Sequence, residues 1–335
     1  MQDFKRTLRN VGLFLLIILV LTMTSPIYYL FFATTHRYYD VDQRDQLAGQ
    51  IDTFVTGASH IMYCFDPDRY DASMNAVSYN LAGVLMSMQG RYELLEQEFR
   101  RNPVDTLILE VSLDSLTRKE SYHIEGDMCL LPRLGSAGTK LRYFFQNFRP
   151  DEYDDAWSIA FAHGLGDMVF DKSLDGNRGL FPSQPAVSQA LTPEQIRQQY
   201  RLLPIPTEPH EKELYWMEQI FRLCEEYDVR VIMITTPLPQ STIIRYDGYD
   251  QIWQMYDTIA REHSCLYIDF NLDPATKELF PDESVFYDQF HLTNGAAAAF
   301  TDLLTDTIRQ YDAGIDIFAD DYASYEELLE QYRPS

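Results

Sequence analysis

The sequence carries little positive charge. Its 335 residues include 27 Lys and Arg against 51 Asp and Glu, which gives a formal net charge of −24. No basic stripe is present that could neutralise phosphates, and this argues against a nucleic-acid partner. A charge of this size is typical of a soluble body that stays clear of anionic surfaces.

Cysteine is also sparse, and its four positions are far apart in the chain: Cys64, Cys129, Cys224 and Cys265. No pair has CxxC spacing, which argues against a metal knuckle and a thioredoxin-type redox motif. No other residues have metal-ligand spacing, so we expect neither a metal nor a cofactor. One or two disulfides are an option if the domain is exported, and free buried thiols are an equally good interpretation.

One long apolar run lies near the N-terminus. Residues 11–33 contain no charge, and such a run is long enough to cross a bilayer. Lys5, Arg6 and Arg9 precede it, so the positive-inside rule places the N-terminus in the cytoplasm. We therefore expect 1–35 to be a cytoplasmic stub and signal anchor, with the remaining chain outside the cell membrane. A cleaved signal peptide and a buried core helix are the alternatives.

From residue 50 onward, short β-rich runs alternate with helical patterns. Strands are predicted at 52–56, 76–80, 105–111, 229–235 and 265–270, and helices at 86–101, 211–227, 249–262 and 294–311. This alternation predicts an α/β fold with a parallel sheet, and we expect a flavodoxin-like three-layer α/β/α sandwich.

The domain itself is predicted to cover 50–311, with a long insertion at about 113–210. The insertion is rich in Gly, Pro and aromatic residues, and we expect it to cover or shape the mouth of a site. An insertion that never meets a substrate is the alternative. The tail at 312–335 is acidic and is expected to form a solvated helix or a frayed end.

The first candidate for chemistry is Gly57-Ala58-Ser59-His60, which follows the first predicted strand. Ligands of parallel α/β sheets bind beyond the carboxyl ends of the strands. The small residues before Ser59 allow a sharp turn that exposes its hydroxyl, and the N–H of Ser59 can then face an oxyanion. His60 is interpreted as a packing residue more readily than as a catalytic one.

The second candidate is the segment from Asp288 to Gly295, between the last predicted strand and the last predicted helix. An Asp three residues before a His can accept the Nδ1–H of the imidazole and leave Nε2 free to act as a base. Together the two segments predict a triad in which Ser59 is the nucleophile, His291 the general base and Asp288 the orienting acid.

This arrangement resembles the SGNH (GDSL-like) hydrolase superfamily. Its first block, Gly-Asp-Ser, corresponds to Gly57-Ala58-Ser59, and its last block, Asp-x-x-His, corresponds to Asp288 and His291. The resemblance implies an oxyanion hole formed by Ser59 and Gly83, with Asn80 as a side-chain donor from the second block. The family's usual Asp is Ala58 here.

The third block of the family, Gly-x-Asn-Asp, has no counterpart, because the chain reads Glu110-Val111-Ser112-Leu113 after the central strand. The asparagine donor to the oxyanion is therefore absent, and losing such a donor costs about 100- to 1,000-fold in rate. Asn80 can substitute for it, or the substrate can be an activated acyl donor.

A narrower resemblance links the chain to the membrane-anchored SGNH-like proteins of D-alanyl transfer and alginate acetylation. It rests on the anchor, the Gly-x-Ser-His start, the segment Phe65-Asp66-Pro67, the pair Tyr79-Asn80 and the late Asp-x-x-His-Leu. It implies a membrane-bound O-acyltransferase as partner, and a serine esterase or O-acyltransferase acting on acyl (acetyl) esters of a cell-surface polysaccharide or related polymer. We favour this enzyme over a non-catalytic partner that binds polymer or docks on the acyltransferase, and over a plain α/β domain.

Overall fold

The computed structural model describes residues 2–36, 39–117, 123–169, 178–180, 192–281, 283–330 and 332–333. The helices are α1 (Gln2–Phe31), α2 (Val41–Gln46), α3 (Ser59–Cys64), α4 (Pro67–Met74), α5 (Met88–Phe99), α6 (His123–Leu130), α7 (Ala137–Asn147), α8 (Tyr153–Val169), α9 (Pro193–Gln199), α10 (Glu211–Tyr227), α11 (Gln240–Arg245), α12 (Tyr249–Glu262), α13 (Pro274–Leu279), α14 (Asn294–Asp312) and α15 (Tyr325–Glu330). The strands are β1 (Thr35–His36), β2 (Tyr39–Asp40), β3 (Thr53–Thr56), β4 (Ser78–Asn80), β5 (Thr106–Glu110), β6 (Leu203–Pro204), β7 (Arg230–Thr235), β8 (Tyr246–Asp247) and β9 (Leu266–Asp269).

Five of these strands form one parallel sheet in the order β4-β3-β5-β7-β9. In its register Thr53 pairs with Thr106, and Thr106 pairs in turn with Arg230. The strands are short apolar runs that are buried almost throughout, as expected of a parallel sheet covered on both faces. The predicted α/β class with a parallel sheet is confirmed.

Alternate side chains of the strands enter two separate hydrophobic clusters. Phe54 and Leu107 pack on one face, in a cluster that includes residues of α5, α10 and α12. Val55 and Ile108 pack on the other face, in a cluster with residues of α3 and α14. This follows from the two-residue period of a strand, which sends successive side chains to opposite faces. Helices therefore cover both faces, and a site has to form at the edge where the strands end.

The apolar run near the N-terminus lies within α1, and the segment Phe4–Phe31 is long and apolar enough to cross a membrane. Only 11% of its most apolar window is buried, which differs from a core helix wrapped by protein. The side chains from Phe4 to Val20 are exposed, Leu21 and Thr22 are partly buried, and the first fully buried one is Ser25.

The described part of 113–210 is largely helical and contacts two distant regions. Helix α8 packs along the last turns of α1, and residues 178–180 lie against the end of β4. Segment 178–180 contacts Asn80, the first residue of the second block, so the insertion reaches the rim of the predicted site as well as the anchor.

The C-terminal segment packs on the body instead of forming the expected solvated or frayed end. Tyr325, Leu328 and Leu329 of α15 are buried, and the Tyr325 hydroxyl donates to Asp269 Oδ2 at 2.8 Å. Burial raises the pKa of the Asp269 carboxyl to about 6, against the hydrogen bonds from Tyr325 and Asn271, which lower it. The solvated end was predicted from the acidic residues of the tail, and these three apolar residues were not considered.

All four cysteines are free thiols, so the second of the two interpretations holds. Cys64, Cys129 and Cys224 are buried, and Cys265 is partly exposed. Burial raises the pKa of the Cys265 thiol to about 11, which keeps it in its unreactive protonated form near neutral pH.

Replacing Tyr325 with Phe should destabilise the fold by about 1.5–3 kcal/mol, because a hydrogen bond to a buried carboxylate is lost. The loss should be larger at pH 8 than at pH 5. The folded-state pKa of Asp269 is raised from 3.8 to about 6, so its ionisation costs stability as pH rises across that interval. Denaturant unfolding at both pH values measures this. The control is Tyr311→Phe, whose ring is 43% exposed; equal effects at the two positions would contradict the docking role of Tyr325.

Candidate active site

The nucleophile candidate lies on a sharp strand-to-helix turn. Strand β3 ends at Thr56, and Ser59 begins α3 after only Gly57 and Ala58. A Cβ atom at position 57 would lie 2.4 Å from Glu110 Oε2, so only glycine fits against that carboxylate. Ser59 is partly exposed while Gly57 and Ala58 are buried, which presents its hydroxyl at the carboxyl end of the sheet.

The imidazole candidate lies on a loop closed by its own backbone. Phe286 and Leu292 form an antiparallel bridge, and the N–H of Tyr287 donates to the carbonyl of His291 at 2.7 Å. Asp288 Oδ1 also accepts the N–H of His291 at 3.0 Å. These bonds fix the Asp288–His291 pair before any ligand is bound.

Ser59, His291 and Asp288 form one hydrogen-bonded chain. Ser59 Oγ lies 2.7 Å from His291 Nε2, and His291 Nδ1 lies 2.8 Å from Asp288 Oδ2. An ionised carboxylate only accepts, so Nδ1 carries the ring proton and Nε2 accepts the serine O–H. The two predicted segments therefore meet with the orientation that a base and its alcohol require.

The charge state of Asp288 supports this tautomer. Partial burial raises the pKa of its carboxyl, but the hydrogen bonds from His291 and from the backbone N–H groups of Phe290 and His291 outweigh burial. The net result is a pKa below the usual value for Asp, so the carboxylate is ionised near neutral pH.

Two rings contact the ring of His291. His60 stacks on it with ring centroids 5.3 Å apart, and Tyr63 contacts it at 4.7 Å. Both come from α3, the helix that Ser59 begins, and Tyr63 also stacks on Tyr287 of the His291 loop. The same helix thus carries the nucleophile and the rings that orient its base. His60 has the packing role expected of it.

Glu110 is the functional candidate that sequence reasoning missed. It ends β5, is fully buried, and its Oε2 accepts the N–H of Ala58 at 2.8 Å. Its Oε1 lies 3.7 Å from His60 Nδ1, and Arg91 Nη2 lies 4.0 Å from Oε2. The signal was present, since an acidic residue closes an otherwise apolar strand at the position where the third block was sought.

Gly83 and Asn80 lie beside the nucleophile turn, but their donors are engaged elsewhere. The N–H of Gly83 donates to the carbonyl of Gly57 at 3.2 Å. Asn80 Nδ2 donates to the carbonyl of Ile61 at 3.2 Å, and its Oδ1 accepts the N–H of Ala82. These bonds join the second block to the nucleophile turn, so the structure gives both residues a positioning role and leaves their oxyanion roles as predictions.

Two arginines of the insertion hold the second block in place. Arg133 Nη2 donates to the carbonyl of Leu81 at 2.6 Å, and its Nη1 donates to that of Ala82 at 3.2 Å. Burial lowers the pKa of Arg133 to about 10, which leaves it charged near neutral pH. The backbone carbonyl of Arg178 accepts the N–H of Asn80, and the Arg178 side chain forms ion pairs with Asp68 and Asp71.

The site is accessible to solvent. The Asp288 side chain is 41% exposed and that of His291 is 16% exposed. Among the described residues, no group of three or more His, Cys, Asp or Glu is placed to hold a metal ion. The chemistry that this geometry can perform is proton transfer between an alcohol and an imidazole, followed by attack of the alkoxide on an electrophile.

Replacing Glu110 with Leu should destabilise the fold by about 3 kcal/mol or more, because the Ala58 N–H and the Arg91 charge lose a buried partner. Glu110→Gln should cost less, since its carbonyl oxygen can still accept the N–H. Denaturant unfolding measures both. The control is Glu96→Leu, which removes an ion pair with Arg100 on the helix surface and should change stability by about 0.5 kcal/mol. A Glu110→Leu variant as stable as this control would contradict the role of the carboxylate.

No family model and no curated protein matches the chain. The resemblance to SGNH hydrolases therefore depends on the motifs and on the geometry around Ser59, His291 and Asp288.

Proposed function

We propose that the chain is an SGNH-type serine esterase or O-acyltransferase, anchored in the cell membrane by α1 with its catalytic domain outside the cytoplasm. The observation that carries the proposal is the hydrogen-bonded chain from Ser59 through His291 to Asp288. Its order along the sequence, serine early and Asp-x-x-His late, is the order of that superfamily. The strand order of the main sheet, counted along the chain as 2-1-3-4-5, is that of a flavodoxin-like sandwich.

In the proposed reaction Ser59 Oγ attacks the carbonyl carbon of an acyl donor while His291 Nε2 takes the hydroxyl proton. Asp288 accepts the Nδ1–H and stabilises the imidazolium that forms. The N–H of Ser59, at the first position of α3 where no helical carbonyl is available to it, donates to the oxyanion.

The tetrahedral intermediate then collapses. The bond to the leaving group breaks, His291 returns the proton to that group, and the acyl group remains as an ester on Ser59. A second cycle transfers it to an acceptor whose proton His291 removes. Water as acceptor gives an esterase, and a sugar hydroxyl of a surface polymer gives an O-acyltransferase.

Placement outside the cytoplasm is supported by charge around the apolar helix. Lys5, Arg6 and Arg9 precede Val11, the first residue of the uncharged run. A site held at the outer face by one helix suits a polymer substrate that cannot enter the cell. A membrane-bound O-acyltransferase that delivers acyl groups through the bilayer is the partner that such a topology would serve.

A non-catalytic binding role is the second candidate, and one observation favours it. The Gly83 N–H and the Asn80 amide are engaged in other hydrogen bonds, and the third-block asparagine is absent. Such a protein would bind the polymer or dock on the acyltransferase without forming a covalent intermediate.

Ser59→Ala should abolish hydrolysis of p-nitrophenyl acetate, with a loss of about 10³-fold or more, because it removes the hydroxyl that is hydrogen-bonded to His291 Nε2. His291→Ala should cause a loss of similar size. Asp288→Asn should cause a comparable loss, because the amide favours the His291 tautomer with its proton on Nε2, which cannot act as the base. Release of nitrophenolate by the detergent-solubilised chain measures all three. Ser158→Ala, an exposed serine on α8, is the matched control.

A serine-directed fluorophosphonate distinguishes the enzyme from the binding protein. The enzyme should be labelled at Ser59, and labelling should fall with loss of His291 because the alkoxide is no longer generated. A folded wild-type chain that is neither labelled nor active would end the catalytic proposal and leave the binding role.

A further inference from the structure

A cavity lies beyond the carboxyl ends of β7 and β9. Pro237 and Leu238, which follow β7, and Asn271, which follows β9, line it together with residues of α11, α13 and the C-terminal segment. The N–H of Leu238 donates to Asn271 Oδ1 at 2.8 Å, which joins the two strand exits. Ligands of parallel α/β sheets bind beyond the carboxyl ends of the strands, so the cavity has a position typical of a binding site.

The size of the cavity suits one ring of a ligand. Its volume is about 130 Å³. An engineered cavity of about 150 Å³ in another protein binds benzene, so a space of this size holds a six-membered ring. The cavity is partly open to solvent, so substituents of that ring and units linked to it can project from it.

The lining combines aromatic rings with groups that both donate and accept hydrogen bonds. Phe280, Phe286 and Tyr322 supply the rings. Thr276 supplies a hydroxyl and Gln240 an amide. A sugar ring presents C–H groups on its faces and hydroxyls around its rim, and so matches both kinds of partner. A purely apolar ligand would leave the polar groups of the lining without partners.

The Thr276 hydroxyl is the polar group that a ligand would satisfy. Thr276 is only 7% exposed, and its Oγ1 has no hydrogen-bond partner within the described part of the chain. A buried hydroxyl without a partner costs free energy. A ligand hydroxyl bound in the cavity supplies that partner.

The charges around the cavity disfavour an anionic ligand. The carboxyl groups of Asp273 and Glu283 line it, against the single ammonium group of Lys277. Burial raises the pKa of the Asp321 carboxyl to about 7, and the neighbouring carboxyl groups of Asp273 and Asp269 add to this rise. The region is therefore rich in negative charge, which suits a neutral sugar better than a uronic acid.

The cavity shares a wall with the catalytic loop. Glu283 and Phe286 line it, and the chain continues from them to Asp288 and His291. At about 4.8 Å per strand, β7 and β9 lie roughly 10 and 14 Å from β3, whose end places Ser59. A chain of a few linked sugars is therefore long enough to reach from the cavity to the nucleophile.

We propose that this cavity is a subsite for a neutral sugar unit of the polymer substrate, separate from the unit that gains or loses the acyl group. This rests on the proposed function and deepens it. It names a neutral saccharide as the substrate class, and it gives the polymer a second contact that positions it along the edge of the sheet.

The test measures the binding of trisaccharides by saturation-transfer NMR. The full Ser59→Ala chain is solubilised in a detergent without a sugar headgroup, and the probes are cellotriose, maltotriose and chitotriose. Because this variant lacks the nucleophile, binding does not depend on catalysis. At least one of the three neutral probes should bind, and the anionic trigalacturonate should bind with an affinity lower by about 10-fold or more, since like charges repel.

A matched pair of threonines tests the hydroxyl. Thr276→Val removes it, and should weaken binding of the neutral probe by about 3- to 10-fold without destabilising the fold. The control is Thr56→Val, because the Thr56 hydroxyl is also buried without a partner within the described residues but does not line the cavity. It should leave the affinity unchanged. Denaturant unfolding checks that both variants are folded.

A matched pair of glutamines tests the amide. Gln240→Ala removes a partly exposed side chain from the cavity wall and should weaken binding by a similar factor of about 3- to 10-fold. Gln254→Ala removes an exposed side chain from α12 and should have no effect.

The outcomes separate this proposal from the function on which it rests. No binding of any neutral probe, or equal binding of trigalacturonate, overturns the neutral-sugar subsite. Binding that Thr276→Val and Gln240→Ala leave unchanged lies elsewhere on the chain and overturns it as well. Binding with the predicted losses, in a chain whose wild-type form does not cleave p-nitrophenyl acetate, supports the subsite and overturns only the catalytic role of Ser59.

Discussion

The hydrogen bond between Ser59 and His291 connects parts of the chain that lie 232 positions apart, and the site exists only while it holds. Ser59 is placed by the end of β3, an inner strand of the parallel sheet, and His291 by the loop between α13 and α14. The two can meet because the carboxyl ends of parallel strands share one edge. Asp288 then fixes the proton on Nδ1, which leaves Nε2 available to the serine.

The supports of this contact are polar groups removed from water. The Glu110 carboxylate accepts a hydrogen bond from the N–H of Ala58, and Arg133 donates hydrogen bonds to the carbonyls of Leu81 and Ala82. Buried groups of this kind are costly unless they are satisfied, so the turn and the second block have few alternative positions. The same insertion that supplies Arg133 also supplies α8, which connects the geometry of the site to the packing around α1.

The sequence predicted the helices and strands well where hydrophobic periodicity agreed with the residues that end such elements. The helices at 211–227 and 249–262 have the predicted bounds, and the strands differ from their predicted bounds by no more than two residues at either end. The triad was predictable because Asp-x-x-His is a local motif and the strand-end position of Ser59 follows from the sheet. Glu110 was missed because its role depends on a neighbouring strand. The burial of α15 was not predicted because acidic residues dominate its composition. The packing of α8 was not predicted because it packs on α1, more than a hundred residues earlier in the chain.

The most direct test of the central claim is mass spectrometry of the chain after brief mixing with p-nitrophenyl acetate at low pH, where deacylation is slow. Our account predicts a single acetyl group on the peptide that contains Ser59, and none when His291 is replaced by Ala. An unmodified Ser59 in a folded chain, or acetylation that does not depend on His291, would contradict the account.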